Sequence, residues 1–166
     1  MIVIAREGRV RAQVEEVWEV VRRPEALSAW LAGLRQACAS GPEGVGQRVR
    51  LTGSRTGDGL DRQAEIIAWK PPTLLAWRCV AERHAGGPWL PTRPDELHIE
   101  LTPLDDETRV VLYAVCPTGG RASLRLRLGP TRRWREELTR SLTALADLFI
   151  APAFAAPASA GPAPSR

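Results

Sequence analysis

The chain has 166 residues, 44% hydrophobic and 25% charged, and carries a net charge of +4. That composition fits one globular domain with a real core and excludes a chain disordered throughout. No stretch approaches about 20 uninterrupted apolar residues, which excludes a membrane-spanning helix.

Residues 2–12 alternate. Ile2, Ile4, Val10 and Ala12 share one parity, and Glu7, Arg9 and Arg11 the other, which predicts a strand with one wet face. The period then changes: Val14, Val17, Trp18 and Val21 fall at helical spacing, and Pro24 stops that helix. Residues 25–34 read as a second short helix with Ala26, Leu27, Trp30, Leu31 and Leu34 on its apolar side. From about residue 35 to 116 strands and turns alternate. Val49 and Leu51 interleave with Arg48 and Arg50; Ala64 and Ile66 with Gln63 and Glu65; Leu75, Trp77 and Cys79 with Arg78 and Val80. Leu97, Ile99 and Leu101 interleave with His98, Glu100 and Thr102, and residues 109–115 form the last strand. Short turns between regularly spaced strands predict an antiparallel meander. Trp134, Leu138, Leu142, Leu145, Leu148 and Phe149 then keep helical steps, with Arg132, Arg133, Arg135, Glu136, Glu137 and Arg140 on the other side. Residues 121–129 stay open between strand and helix. Residues 151–166 are mostly Ala, Pro, Ser and Gly and are expected to be a disordered tail after a domain spanning 1–150.

The predicted class is α+β. An antiparallel sheet of about six or seven strands has one apolar face, and the long C-terminal helix has one apolar stripe. The sheet satisfies both by curling around that helix, with the two short helices after the first strand closing one end. A cavity can remain between a curved sheet and a single helix.

Lys70 is the only lysine, so the basic charge is arginine almost throughout. Arg121, Arg125, Arg127, Arg132, Arg133, Arg135 and Arg140 cluster, offset by Glu136 and Glu137. The cluster reads first as a solvated helix face, and otherwise as a surface for phosphate, an anionic membrane face or a protein partner. Only Trp134 interleaves with it, where a base-stacking platform needs several aromatics, so no specific nucleic acid is expected. Cys38, Cys79 and Cys116 match no zinc or redox spacing, and buried, unreactive thiols are expected. The N-terminus turns charged after five residues, whereas a secretory apolar region is longer and lies behind positive charge; a cytoplasmic location is expected.

The run Val10-Arg-Ala-Gln-Val-Glu-Glu-Val-Trp-Glu-Val-Val21, followed by Pro24-Glu-Ala-Leu-Ser-Ala-Trp-Leu31, resembles the opening of the START/Bet v 1-like (SRPBCC) superfamily. Gly44-Val-Gly46, Ile67-Ala-Trp-Lys-Pro-Pro72 with Leu75-Ala-Trp77, and Glu100-Leu-Thr-Pro103 with Thr108-Arg-Val110 resemble its later landmarks. The likeness covers roughly residues 2–150 and is closest to the polyketide cyclase/dehydrase-like branch. It implies a helix-grip fold around an apolar cavity. Three loops would ring the mouth: Gly53–Gly59, Arg83–Pro94 and Pro117–Arg121.

The residues expected to line that cavity are Arg62, Ile66, Trp77, Cys79, Trp89, Leu97, Ile99, Val110, Leu112, Trp134, Leu138 and Leu142. Six of the chain's nine aromatic residues are Trp. Trp18 and Trp30 read first as anchors for the small helices; Trp77 and Trp134 are better wall candidates. Trp89 is either a cover over the ligand or an anchor that holds its loop down. Arg62 shares parity with Ala64 and Ile66, so it either meets a ligand carboxylate or enolate, or pairs with an internal acid.

Three functions follow in order. The first is binding of a small hydrophobic molecule, such as a lipid, quinone or aromatic or polyketide-like metabolite. The second is a cyclase or dehydratase without metal or nucleotide cofactor, with Arg62 in an electrostatic role and Tyr113 weakened by sharing the parity of Arg109. The third is a protein-binding adaptor using the arginine surface, with a homodimer also open. No cofactor is expected, and no metal-ligand or phosphate-loop spacing is present.

Overall fold

The computed structural model describes residues 1–53, 61–84, 87–91, 95–116 and 130–150. The expected tail at 151–166, the open segment at 121–129, and the loops at 54–60 and 117–121 lie outside the described residues.

The chain begins with β1 (Ile2–Val10), α1 (Val14–Val21), a 3-10 turn (Pro24–Ala26) and α2 (Leu27–Trp30). Then come β2 (Gln36–Ser40), β3 (Arg48–Thr52), β4 (Asp61–Lys70), β5 (Leu74–Arg83), β6 (Leu90–Pro91), β7 (Glu96–Pro103) and β8 (Thr108–Cys116). The long helix α3 covers Pro130–Asp147. The strands form one curved antiparallel sheet in the order β1-β8-β7-β5-β4-β3-β2, with β6 pairing β5 off that path. The class is α+β as expected. The meander runs from β2 to β8, and β1 closes onto its far end in a register that sets Ile2 against Cys116 and Val10 against Thr108.

Two local expectations need correction, and one strand is newly seen. The second helix is shorter than residues 25–34: Leu31 turns to extended backbone after Trp30, and Leu34 is buried from a turn instead. Gly33 follows at φ +80°, a backbone conformation that the helix cannot continue through. The strand β2, with Ala37 alone fully buried, is too short to show an alternating signal by itself. The stripe of α3 ends at Asp147, leaving Leu148 exposed in the turn beyond it.

Two irregularities decide which side chains face the core. The β4–β5 register shifts between Gln63 and Ala64, leaving Val80 as the extra residue on β5, and again between Ile66 and Ala68, leaving Ile67 extra on β4. Each extra residue reverses the parity after it. Ile66 therefore faces inward opposite Trp77, and three residues later Trp69 faces inward opposite Leu75. There Trp69 meets Trp18 of α1 edge to face, with ring centroids 5.2 Å apart. Beyond Val80, Arg83 falls opposite Asp61 on the outer side, and Glu82 falls opposite Arg62.

The core lies between the concave face and the helices. Leu75, Trp77, Leu97, Ile99, Val110 and Leu112 meet Val17, Val21, Leu27, Trp30, Leu138 and Leu145. The helix α3 lies mainly along β1, with further contacts to α2 and β8. Leu142 packs over Gly8, its methyl carbons within ordinary van der Waals reach of where a Cβ would stand. Each fully buried Leu on α3 contributes roughly 1.5–3 kcal/mol by removal from water. The α2–α3 contact is also tied by a polar link: the Ala32 N–H donates to Ser141 Oγ at 3.0 Å, and the Ser141 hydroxyl donates to the Glu137 carbonyl at 2.8 Å.

Candidate ligand-binding cleft

An apolar cleft opens where α1 and the following turn cross the concave face of the sheet. Val21, Arg22, Pro24 and Leu27 form one wall; Val49, Leu51, Ala64, Ile66, Leu75 and Trp77 of β3, β4 and β5 form the other. The wall exists because the inward parity of three consecutive strands is apolar, while Pro24 turns the chain so that Leu27 points back at it. The cleft encloses about 280 Å3 of non-atom space, of which about 10 Å3 admits the centre of a water molecule. That is room for about one water, so a ligand must move side chains to enter.

Two polar features mark the cleft. Trp77 is 5% exposed, and its Nε1–H has no hydrogen-bond acceptor among the described residues. An unmet buried donor of this kind costs about 1–3 kcal/mol and is recovered when an acceptor arrives. Arg22 stands at the rim, its guanidinium shared between Glu19 and Glu43.

The expected lining residues fall into three sets. Ile66 and Trp77 line the cleft. Cys79, Leu97, Ile99, Val110, Leu112, Leu138 and Leu142 are buried in the core beside it, and Trp134 is half-buried against that core. Leu97 is Trp77's partner in the register, and Ile99 pairs both Leu75 and Leu112, so these side chains continue the same inner face away from the cleft. Arg62 and Trp89 stand apart. Arg62 is on the inner parity and its side chain is 17% exposed, but Nη1 lies 3.6 Å from Asp95 and Nε 4.0 Å from Glu82. Trp89 sits over the guanidinium of Arg83 at 4.8 Å, with that of Arg50 at 5.9 Å. Both arginines also donate to Asp61, at 2.9–3.0 Å. Cation–π contact with outward-facing arginines makes Trp89 an anchor of its loop. Burial alone would raise the Asp61 pKa, but the hydrogen bonds from Arg50 and Arg83 outweigh it and hold the carboxyl below its ordinary range.

Several residues that matter were not legible as site residues. Val21, Leu27, Val49, Leu51, Ala64 and Leu75 carried an apolar signal, yet only the fold brings them to one cleft. Glu137 was expected on the outer face of the long helix, and it is 3% exposed. It occupies the same side as Leu138 and Ser141, and Arg133 reaches over to donate to its carboxylate at 3.3 Å. Nothing in helical spacing separates a Glu at the border of the stripe from one outside it. Cys38 corrects the expectation of three buried thiols: it is exposed on β2, while Cys79 and Cys116 are buried.

The outer face of the sheet carries its own polar cluster. His98 stacks on Tyr113 with centroids 4.6 Å apart and contacts Glu96 at 2.9 Å; the Tyr113 hydroxyl donates to Glu100 at 2.7 Å. Tyr113 thus faces away from the cleft, as its parity with Arg109 indicated. Among the described residues, no group of His, Cys, Asp and Glu has the geometry to hold a metal ion.

Comparison with known proteins places this geometry. Residues 11–149 match the family model described as Activator of Hsp90 ATPase homolog 1-like protein. A START superfamily protein from Mycobacterium smegmatis aligns with a TM-score of 0.68 at 14% identity, covering 89% of this chain and 97% of that one. The Zhui aromatase/cyclase from Streptomyces sp. R1128 aligns with a TM-score of 0.69 at 16% identity, covering 90% of this chain and 93% of that one. DynU16, from the dynemicin biosynthetic locus, aligns with a TM-score of 0.65 at 19% identity over 90% of this chain; the chain spans 47% of its length. At these identities the likeness carries the fold alone. No protein of curated function matches the chain in sequence.

Proposed function

The chain belongs to the activator of Hsp90 ATPase homolog 1-like family, on a START/Bet v 1-like fold, and from that premise we propose that it is a cytoplasmic binding module for a small apolar molecule. The ligand enters the cleft between α1 and strands β3, β4 and β5 and extends along the inner face of the sheet. It is mostly hydrocarbon or aromatic, with one acceptor such as a carbonyl oxygen that takes the Trp77 N–H. The observation that carries this reading is the pairing of an apolar lining with that one unmet donor. No helix among the described residues is long and apolar enough to cross a membrane.

A cyclase or dehydratase role has less support. Arg62, the side chain best suited to steady an enolate, already faces Asp95 and Glu82, and Tyr113 lies on the outer side. A role as a protein-binding adaptor rests on the family's description and on the exposed arginines of α3, and a homodimer would use the same surfaces.

Solvent extraction and mass spectrometry of the purified protein test the reading. A stoichiometric apolar compound carrying an acceptor is the expected result. A blank extract, together with no saturable uptake of a neutral naphthylamine probe, removes it.

A further inference from the structure

A second concave surface lies at the edge of the core, between α3 and β1. Its lining is Arg6 from β1 and Arg132, Arg135, Glu136, Thr139 and Arg140 from α3, around about 580 Å3 of space. The helical residues recur at steps of three and four, so they form one stripe turned toward β1. Arg6 shares the parity of Ile4 and Val10, the inward side of β1, and is only half-buried because α3 leaves the groove open above it.

The charges in this groove are unbalanced. Glu136 is taken by Arg132, whose Nε donates to it at 2.9 Å. Arg6, Arg135 and Arg140 have no carboxylate partner among the described residues; Arg6 donates only to the carbonyl of Ala5. Three guanidiniums without counter-charge on one concave surface repel one another until an anion joins them. Their planar forks suit phosphate oxygens, which accept paired N–H bonds from arginine.

The continuation of the groove limits the size of that anion. Past Arg6 and Thr139 it runs along Glu7, Gly8, Arg9, Thr143, Ala146 and Asp147. Asp147 ends the run of positive charge, while the Glu7 carboxylate is already held by Arg109 at 2.7 Å. An acidic segment continuing along the groove would meet the Asp147 carboxylate. A compact group of high charge density fits the basic end alone.

We propose that the basic end of the β1–α3 groove is a binding site for a compact polyphosphate group, held by Arg6, Arg135 and Arg140 with Arg132 at its edge. The site is separate from the apolar cleft and does not depend on it.

Calorimetric titration of the full chain with inorganic pyrophosphate tests this, beside inorganic phosphate and phosphatidylglycerol vesicles. The expected result is saturable binding of pyrophosphate that weakens with salt, with inorganic phosphate bound more weakly. Arg6→Gln and the double variant Arg135→Gln/Arg140→Gln each weaken it about tenfold or more, the loss of a charge-assisted hydrogen bond. Arg78→Gln, whose guanidinium sits on the outer face with Glu96, leaves it unchanged. Both residues of the double variant are exposed, so that protein folds even if Arg6→Gln does not. No saturable binding, equal binding by the parent and the double variant, equal affinity for inorganic phosphate, or binding to vesicles alone overturns the proposal.

Discussion

Arg22, just past the C-terminal end of α1, grips Glu19 with two nitrogens at 2.7 and 2.8 Å and donates with the third to Glu43, in the turn between β2 and β3. The link joins two elements that border the apolar cleft, so it restrains how far they separate. Glu43 is half exposed, so solvent screens the pair. Glu43→Gln is expected to cost less than about 1 kcal/mol in urea denaturation. The same variant is expected to take up a neutral naphthylamine probe faster in stopped-flow fluorescence. An unchanged uptake rate would show that the cleft opens elsewhere.

Trp77→Phe keeps most of the apolar wall and deletes the unmet N–H. Stability is expected to fall by about 1–3 kcal/mol, the loss of the indole's extra ring being offset in part by removal of a desolvated donor. Affinity for a carbonyl-bearing ligand is expected to fall several-fold while that for a plain hydrocarbon probe holds. Equal losses for both would place the indole N–H outside the recognition.

Thr108 is fully buried at the start of β8, and its hydroxyl donates to the Ala12 carbonyl at 2.8 Å. That bond pins the junction between β1 and α1. Thr108→Val keeps the shape and strands the carbonyl. The expected cost is about 1–2 kcal/mol in chemical denaturation, and a neutral result would mean that another donor reaches Ala12.

The chain has a single tyrosine, so its titration is unambiguous. Burial first, then the hydrogen bond to Glu100, pushes the Tyr113 pKa up to about 12. The folded value exceeds the unfolded value of about 10. The stabilisation is therefore complete below about pH 10 and lost as pH rises toward the folded value. Ultraviolet titration of the phenolate checks the folded value, and Glu100→Gln should lower it. Asp61 has the opposite sign. Its folded pKa lies below the unfolded value, so its contribution is present above about pH 4 and lost as pH falls through the folded pKa. Asp61→Asn should flatten the acid limb of a stability profile.

Native alkylation should label Cys38 alone, with Cys79 and Cys116 reacting after unfolding. Labelling of a second thiol in the native protein would show that β5 or the end of β8 opens readily.

Strands β3, β7 and β8 and the long helix were legible because each has a clean period: Val49 and Leu51, Leu97 and Ile99, Val110 and Leu112, Leu138 and Leu142 all turn inward as their spacing requires. The inner wall around Ile66 and Trp77 followed from the same alternation. What spacing could not carry was the two extra residues, Val80 and Ile67, because a shift is a property of a strand pair and not of one strand. That is why Glu82 and Asp95 beside Arg62, and the seat of Trp89 on Arg83, emerged only from the fold. Arg6 was overlooked for a related reason. A single charge among apolar residues of one parity reads as noise until a second element is placed above it.

The pairing of β1 with β8 imposes an order on biosynthesis. Ile2-Val-Ile-Ala leaves the ribosome long before Cys116, yet among the described residues the strand they pair with is β8, which ends there. Until that late strand emerges, β1 is an apolar segment with both edges open. The cover that α3 gives it comes later still, from residues after 130. The nascent chain must keep β1 from unrelated edges until β8 has emerged, and the cost of closing so long a loop falls at that point.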